Sequence, residues 1–150
     1  MNHGELAKQN FENGCNCAQS VLLAFSDLTG LTEGQSMKIA ASFGGGMGRL
    51  REVCGALTGA FMVLGLLYAD DHVPEHGAKA AHYERVQELA ASFKEHNGSI
   101  LCRDLLAGTE TVPGKVPEER TKEYYKKRPC GELVRYAADL LDRYIADHPL

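Results

Sequence analysis

The sequence lacks tryptophan and has no surplus of positive charge. Its 16 Lys and Arg residues are outnumbered by 20 Asp and Glu residues, so the formal net charge is −4. A nucleic-acid-binding surface normally appears as a basic stripe, and the composition therefore argues against nucleic acid as a partner. A short basic aromatic stretch does not change this conclusion, and we interpret it as part of a solvated helix: Tyr124, Tyr125, Lys126 and Lys127.

Long apolar segments are also scarce. The run from Val53 to Ala69 falls short of the roughly twenty residues that usually cross a bilayer core. Gly55 and Gly59 have the Gly-x-x-x-Gly spacing of membrane helices, but no second apolar run accompanies them and aromatic or basic anchors are few. We therefore expect a buried helix and no membrane span. No amino-terminal stretch combines a charged start with an apolar core, so the expected location is the cytoplasm.

Strand patterns, internal repeats, low-complexity tracts and linkers are missing as well. A chain of 150 residues with 44% hydrophobic residues can bury a real core within one domain. Apolar residues recur at helical spacing along most of the chain. We predict an all-α single domain, residues 1–150, organised as a compact helical bundle around a buried central helix at about 53–69.

Capping residues and Gly or Pro stops delimit the other predicted helices. Asn16 is expected to cap a helix whose first residue is Cys17, and Thr32 with Gln35 has the spacing of a capping box. The segment 108–117 is rich in turn residues. The predicted helices besides the central one span 5–13, 17–30, 32–43, 75–96, 99–107, 118–127 and 132–145.

A glycine-rich loop precedes the central helix. Glycine permits positive φ angles and close backbone approach, so this loop has a shape to keep. It follows no strand and lacks the Gly-Lys-Ser/Thr ending of a nucleotide-binding loop. We prefer a turn that packs or shapes a cofactor site to a cradle for an anion. The candidate cofactor-binding glycines are Gly44, Gly45, Gly46, Gly48 and Gly55.

The five cysteines are the residues that can carry chemistry. In a chain of cytosolic character, cysteines are more often ligands, redox groups or catalysts than structural disulfides. Cys17, Cys54 and Cys130 lie at or near predicted helix starts, where unpaired amides and the helix dipole favour a thiolate. Arg128 stands just before Cys130. We expect lowered thiol pKa values at these positions, the alternative being that the cysteines are small buried hydrophobes.

The order of these motifs resembles a known family, the putative redox-active proteins named for a C_GCAxxG_C_C pattern. The resemblance covers nearly the whole chain and implies a small helical domain with four characteristic cysteines. Those are Cys17, Cys54, Cys102 and Cys130, whereas Cys15 lies outside the four. The matching segments are Gly14-Cys15-Asn16-Cys17-Ala18-Gln19-Ser20-Val21, Gly44-Gly45-Gly46-Met47-Gly48, Cys54-Gly55-Ala56-Leu57-Thr58-Gly59, Cys102 and Cys130-Gly131.

Three functions are compatible with this pattern. In the first, the four cysteines are catalytic and exchange electrons or disulfides with an unidentified redox partner protein. In the second, the same four thiolates are ligands of a metal ion or an iron–sulfur cluster. In the third, the chain is a non-catalytic assembly module whose small-residue helix face packs a partner or a second copy. We favour the first and expect the four thiols to share one site.

Overall fold

The computed structural model describes residues 1–109 and 111–150, and their regular structure is helical throughout, which confirms the all-α prediction. A lone antiparallel bridge between Val53 and Leu101 is the nearest that the described residues come to a sheet. None of the described helices is long and apolar enough to cross a membrane. The elements in chain order are α1 (His3–Glu12), α2 (Cys17–Ala24), α3 (Ser26–Thr29), α4 (Glu33–Ala40), a 3-10 turn (Ala41–Phe43), α5 (Gly55–Tyr68), α6 (His76–Asn97), α7 (Cys102–Leu105), α8 (Lys122–Lys127) and α9 (Cys130–Asp147).

Helix α5 is the predicted central helix and packs against α2, α6 and α9. Its first six residues, 55–60, are all buried. The expectation that this helix is buried on every side holds for its first half only. In the second half Val63 and Leu64 are buried, but Leu66 is 48% exposed. The deepest part of the core therefore lies at the start of α5.

Two glycines of α5 let the backbone of α2 approach closely. A Cβ atom at Gly59 would lie 2.7 Å from the carbonyl oxygen of Ala18, and one at Gly55 would lie 3.0 Å from Cβ of Cys17. Real Cβ atoms rarely come this close to a neighbour, so both positions need glycine for the packing seen. The small-residue face of α5 is thus covered by α2 of the same chain.

Several predicted helix ends agree with the structure and others differ. Asn16 and Thr32 both form capping boxes, with Gln19 and Gln35 respectively. The single helix predicted over 17–30 is instead split at Phe25, whose backbone leaves regular helical geometry.

Two helices that follow α6, namely α7 and α8, are shorter than the sequence predicts. The helix predicted over 99–107 is reduced to α7, and the one predicted over 118–127 begins only at Lys122, after the cap Thr121. Helix α9 starts two residues earlier than predicted because Pro129, which has no amide hydrogen, serves as its N-cap residue. Cys102 and Cys130 consequently become the first residues of their helices.

Candidate functional site

The structure brings four cysteines to the wall of one cavity with a volume of about 270 Å³. Each belongs to a different helix start: Cys17, Cys102 and Cys130 are the first residues of α2, α7 and α9, and Cys54 is the N-cap of α5. The five glycines expected to shape a site line the same cavity. A larger groove of about 660 Å³ lies between α6 and α9, but no cysteine lines it.

Two short backbone contacts hold Cys54 and Cys102 on neighbouring segments. The amide of Cys54 donates to the carbonyl oxygen of Ile100 at 2.8 Å, and the amide of Cys102 donates to that of Glu52 at 2.6 Å. These bonds flank the bridge between residues 53 and 101. The starts of α5 and α7 are therefore joined directly, although 48 positions separate the two cysteines in the sequence (102 − 54).

The glycine loop packs against the thiol cavity with little room to spare. Gly46 has φ +72°, and a Cβ atom there would lie 2.7 Å from Cβ of Cys102. At Gly44 an added Cβ would lie 2.8 Å from Cβ of Asn16, the residue that caps α2. The loop also holds Arg49 and Arg51 at φ +64° and +61°. Left-handed backbone costs a non-glycine residue about 1–2 kcal/mol, so the surrounding contacts must hold these arginines in place.

Cys130 is the thiol with the strongest tendency to ionise. Donation from the neighbouring Cys17 thiol, the positive charges of Arg128 and Arg120 and a hydrogen bond from Arg128 outweigh burial and lower the pKa of Cys130 to about 7. An ordinary thiol is only about 3% ionised at pH 7, so the lowered pKa gives Cys130 a larger thiolate fraction than that.

The other three thiols of the cavity have raised pKa values. At Cys17 the main causes are its hydrogen bond to Cys130 and burial. Burial raises the pKa of Cys54 to about 12, although amides of Ala56 and Leu57 in the first turn of α5 favour its thiolate. Burial also raises the pKa of Cys102. The expectation that a helix start lowers the thiol pKa is thus wrong for two cysteines. At Cys17 the interaction with Cys130 and burial raise the pKa, and at Cys54 desolvation outweighs the amides.

Arginines form the second part of the cavity wall. Arg51 donates to the sulfur of Cys102 at 3.6 Å. The pKa of Cys102 is nevertheless raised, since burial there outweighs the guanidinium of Arg51. Arg120 donates to the carbonyl oxygen of Cys15 at 3.1 Å and lies 4.9 Å from the ring centre of Tyr124.

The carboxylate of Glu118 lies beside three arginines, Arg49, Arg51 and Arg128. Its Oε1 atom lies 2.9 Å from Nη2 of Arg49, 2.9 Å from Nη2 of Arg128 and 3.6 Å from Nη2 of Arg51. Burial acts to raise the pKa of Glu118, but the amides of Glu118 and Val112 and the charges of Arg128 and Arg49 lower it overall. Glu118 is therefore ionised at neutral pH and ties the glycine loop to the segment before α8.

This arginine cluster, formed by Arg49, Arg51 and Arg128 around Glu118, was not predicted from the sequence. The signals were the two arginines within the glycine loop and the charged stretch around α8, which was interpreted as solvated. That interpretation is wrong for Tyr124, which lines the cavity and whose pKa burial raises to about 12. It holds for Lys126 and Lys127, which are exposed.

Cys15 lies outside the cavity wall. Its Sγ atom is 3.8 Å from the sulfur of Met37, and the side chain is half-buried. The five cysteines all lie in the described part of the chain and none forms a disulfide. Within residues 1–109 and 111–150, no group of three or more Cys, His, Asp or Glu side chains is arranged to hold a metal ion.

The chain matches a known protein family. Residues 15–144 match the family described as "Putative redox-active protein (C_GCAxxG_C_C)". The matched region contains the four cavity cysteines, the glycine loop and the arginine cluster. Neither the curated proteins nor the solved structures contain a match to this chain.

Proposed function

The chain belongs to the C_GCAxxG_C_C family of putative redox-active proteins, and we propose that its four-cysteine site performs thiol–disulfide exchange. The observation that carries the proposal is the pairing of unlike thiols in one cavity. The pKa of Cys130 is lowered, mainly by the neighbouring Cys17 thiol, whereas the pKa of Cys17 is raised, so the two thiols differ in their tendency to ionise. An attacking thiolate beside a protonated second thiol is the arrangement that dithiol exchange needs.

In the first step the Cys130 thiolate attacks one sulfur of a substrate disulfide. A bond forms between Cys130 and that sulfur, the substrate S–S bond breaks, and the other substrate sulfur leaves as a thiolate that takes a proton from water. A thiol with a pKa near the ambient pH is the most effective attacking group, because it combines ionisation with nucleophilicity. The product is a mixed disulfide on Cys130.

In the second step Cys17 resolves the mixed disulfide. Once Cys130 is bonded to substrate it carries no negative charge, so the main cause of the raised pKa of Cys17 disappears. The Cys17 thiolate then attacks the sulfur of Cys130, and the second substrate sulfur leaves and is protonated. The substrate gains two electrons and two protons, which the Cys17 and Cys130 dithiol loses on becoming a disulfide.

We assign the second pair to Cys54 and Cys102. The support is their position on backbone segments that the bridge between residues 53 and 101 holds together. Both thiols are buried, and burial favours the protonated form of each. This pair is therefore the slower one to react and would receive electrons from, or return them to, the Cys17 and Cys130 pair.

Disulfide mapping tests the proposal. The reduced protein is mixed with oxidised glutathione under nitrogen, samples are alkylated at intervals, and the linked peptides are identified by mass spectrometry. We expect the Cys17 to Cys130 disulfide to form first and to return to thiols on reduction. Cys17→Ser should instead accumulate a mixed disulfide on Cys130.

The matched control is Cys15→Ser, which removes a thiol near α2 but outside the cavity wall. It should leave the order and rate of disulfide formation unchanged. A first disulfide that contains Cys15, or an unchanged rate in Cys130→Ser, would refute the assignment.

A further inference from the structure

Within residues 1–109 and 111–150, the positive side chains beside Glu118 outnumber the negative ones. Three guanidinium groups, those of Arg49, Arg51 and Arg128, surround this one carboxylate. Its Oε1 atom also accepts the amide of Val112 at 3.2 Å. One carboxylate oxygen offers about two lone pairs, so it cannot satisfy four donors at once.

Two of the guanidinium nitrogens are left without a hydrogen bond. Nη2 of Arg51 and Nη2 of Arg128 are buried and have no hydrogen-bond partner in the described part of the chain. Nη2 of Arg128 lies within ion-pair distance of Glu118 but outside hydrogen-bonding geometry, so we count it as an ion pair only. The Arg128 side chain is 5% exposed. A buried charged nitrogen that makes no hydrogen bond is costly even within an ion pair, which indicates that another acceptor belongs beside it.

Both arginines line the same cavity as the four thiols. The sulfur of Cys102 is a weak acceptor, because burial raises the pKa of this thiol and so favours its protonated form. The cavity volume of about 270 Å³ is just below the roughly 300–1,000 Å³ of pockets for drug-sized ligands. An acceptor from outside must therefore be small.

We propose that Arg51 and Arg128 bind the carboxylate of a small anionic substrate and so place its reactive atom beside Cys130. The free Nη2 of each guanidinium can donate to one oxygen of a carboxylate, and the surplus of positive charge among the described residues favours an anion over a neutral molecule. The identification of this anion as a substrate rests on the proposed function. The existence of the anion site does not. Thiols and disulfides that carry carboxylates are the substrate class this site selects.

Paired alkylating agents test the anion site without any redox step. Iodoacetate and iodoacetamide differ in bearing a carboxylate or a neutral amide, and both react with the Cys130 thiolate by forming an S–C bond and releasing iodide. The rate of modification of Cys130 is measured for each reagent in the full chain, folded and in urea, by peptide mass spectrometry. The ratio of the iodoacetate rate to the iodoacetamide rate should be about tenfold higher in the folded protein, because hydrogen bonds to charged groups are strong.

Two variants distinguish a specific anion site from general electrostatic attraction of iodoacetate to the protein. Arg51→Gln should bring the rate ratio close to its value in urea. Any change that the variant causes in the thiolate fraction of Cys130 cancels in this ratio, because both reagents attack the same thiolate. Lys94→Gln removes one positive charge from the exposed side of α6 and should leave the ratio as it is. An equal fall in both variants would overturn the proposal.

A measurement on the unmodified chain guards against a variant that fails to fold. Sodium sulfate should slow iodoacetate more than iodoacetamide when sodium chloride keeps the ionic strength constant, and the iodoacetate rate should saturate with concentration. A folded protein with the same rate ratio as in urea, or no selective effect of sulfate, would overturn the anion site. Because alkylation uses no electrons from a second thiol, either result leaves the disulfide-mapping experiment to decide the proposed function separately.

Discussion

Replacing Gly46 with alanine tests how tightly the glycine loop is bound to the thiol cavity. The added Cβ would lie 2.7 Å from Cβ of Cys102, 2.7 Å from the amide nitrogen of Glu52 and 2.8 Å from Cα of Arg51. Two of these atoms belong to backbone, which cannot move aside cheaply. Left-handed geometry costs alanine about 1–2 kcal/mol and overpacking about 1–3 kcal/mol more. We expect Gly46→Ala to lower the free energy of unfolding by about 2–5 kcal/mol.

Gly30→Ala is the matched control for this change. Gly30 has nearly the same φ, +74° against +72°, but an added Cβ there meets no atom of the described residues within 4 Å. Gly30→Ala should therefore lower the free energy of unfolding only by the cost of the left-handed backbone, about 1–2 kcal/mol. Urea unfolding followed by circular dichroism measures both variants. Equal losses in the two would show that contact with Cys102 and its neighbours does not constrain the loop.

Two further predictions concern charge. Arg128→Gln should raise the pKa of Cys130 and slow its reaction with iodoacetamide at least about threefold at pH 7. Lys127→Gln changes an exposed residue and should have neither effect. Equal pH dependence of the iodoacetamide rate in the two variants would contradict this prediction. His3 donates to Asp142 at 2.7 Å and to Asp27 at 2.9 Å. Burial acts to lower the pKa of His3, but these bonds raise it above 6.5 overall. Its contribution to stability should therefore be complete below pH 6.5 and be lost as the pH rises through the higher folded value. A difference between wild type and His3→Gln that grows with pH in urea titrations would refute this sign.

Much of the fold could be predicted because it depends on local patterns. The apolar run at 53–69 and the capping boxes at Asn16 and Thr32 specify helices through neighbouring residues alone. The same holds for the glycine stop after α6, since Gly98 adopts the left-handed conformation there. The break at Phe25 was missed because it interrupts a continuous apolar repeat without a Gly or Pro signal.

The cavity could be predicted only in part. Cysteines at helix starts identified the residues that line it, but their pKa values depend on burial, which sequence spacing does not report. The arginine cluster depends on contacts between residues that are far apart in the chain, such as Arg49 with Glu118. Arg49 and Arg51 also adopt positive φ, which non-glycine residues rarely do, so no local propensity could have indicated it.

The most direct test of the central claim is a thiol, metal and sulfide analysis of protein purified without oxygen. Free thiols, iron, zinc and acid-labile sulfide are measured together with a visible spectrum, before oxidation, after oxidation and after reduction. Thiol–disulfide exchange predicts a colourless protein with five free thiols that loses two or four of them on oxidation and regains them on reduction. Stoichiometric iron with acid-labile sulfide, or thiols that do not change in pairs, would contradict it and assign the four cysteines to a metal centre or to packing.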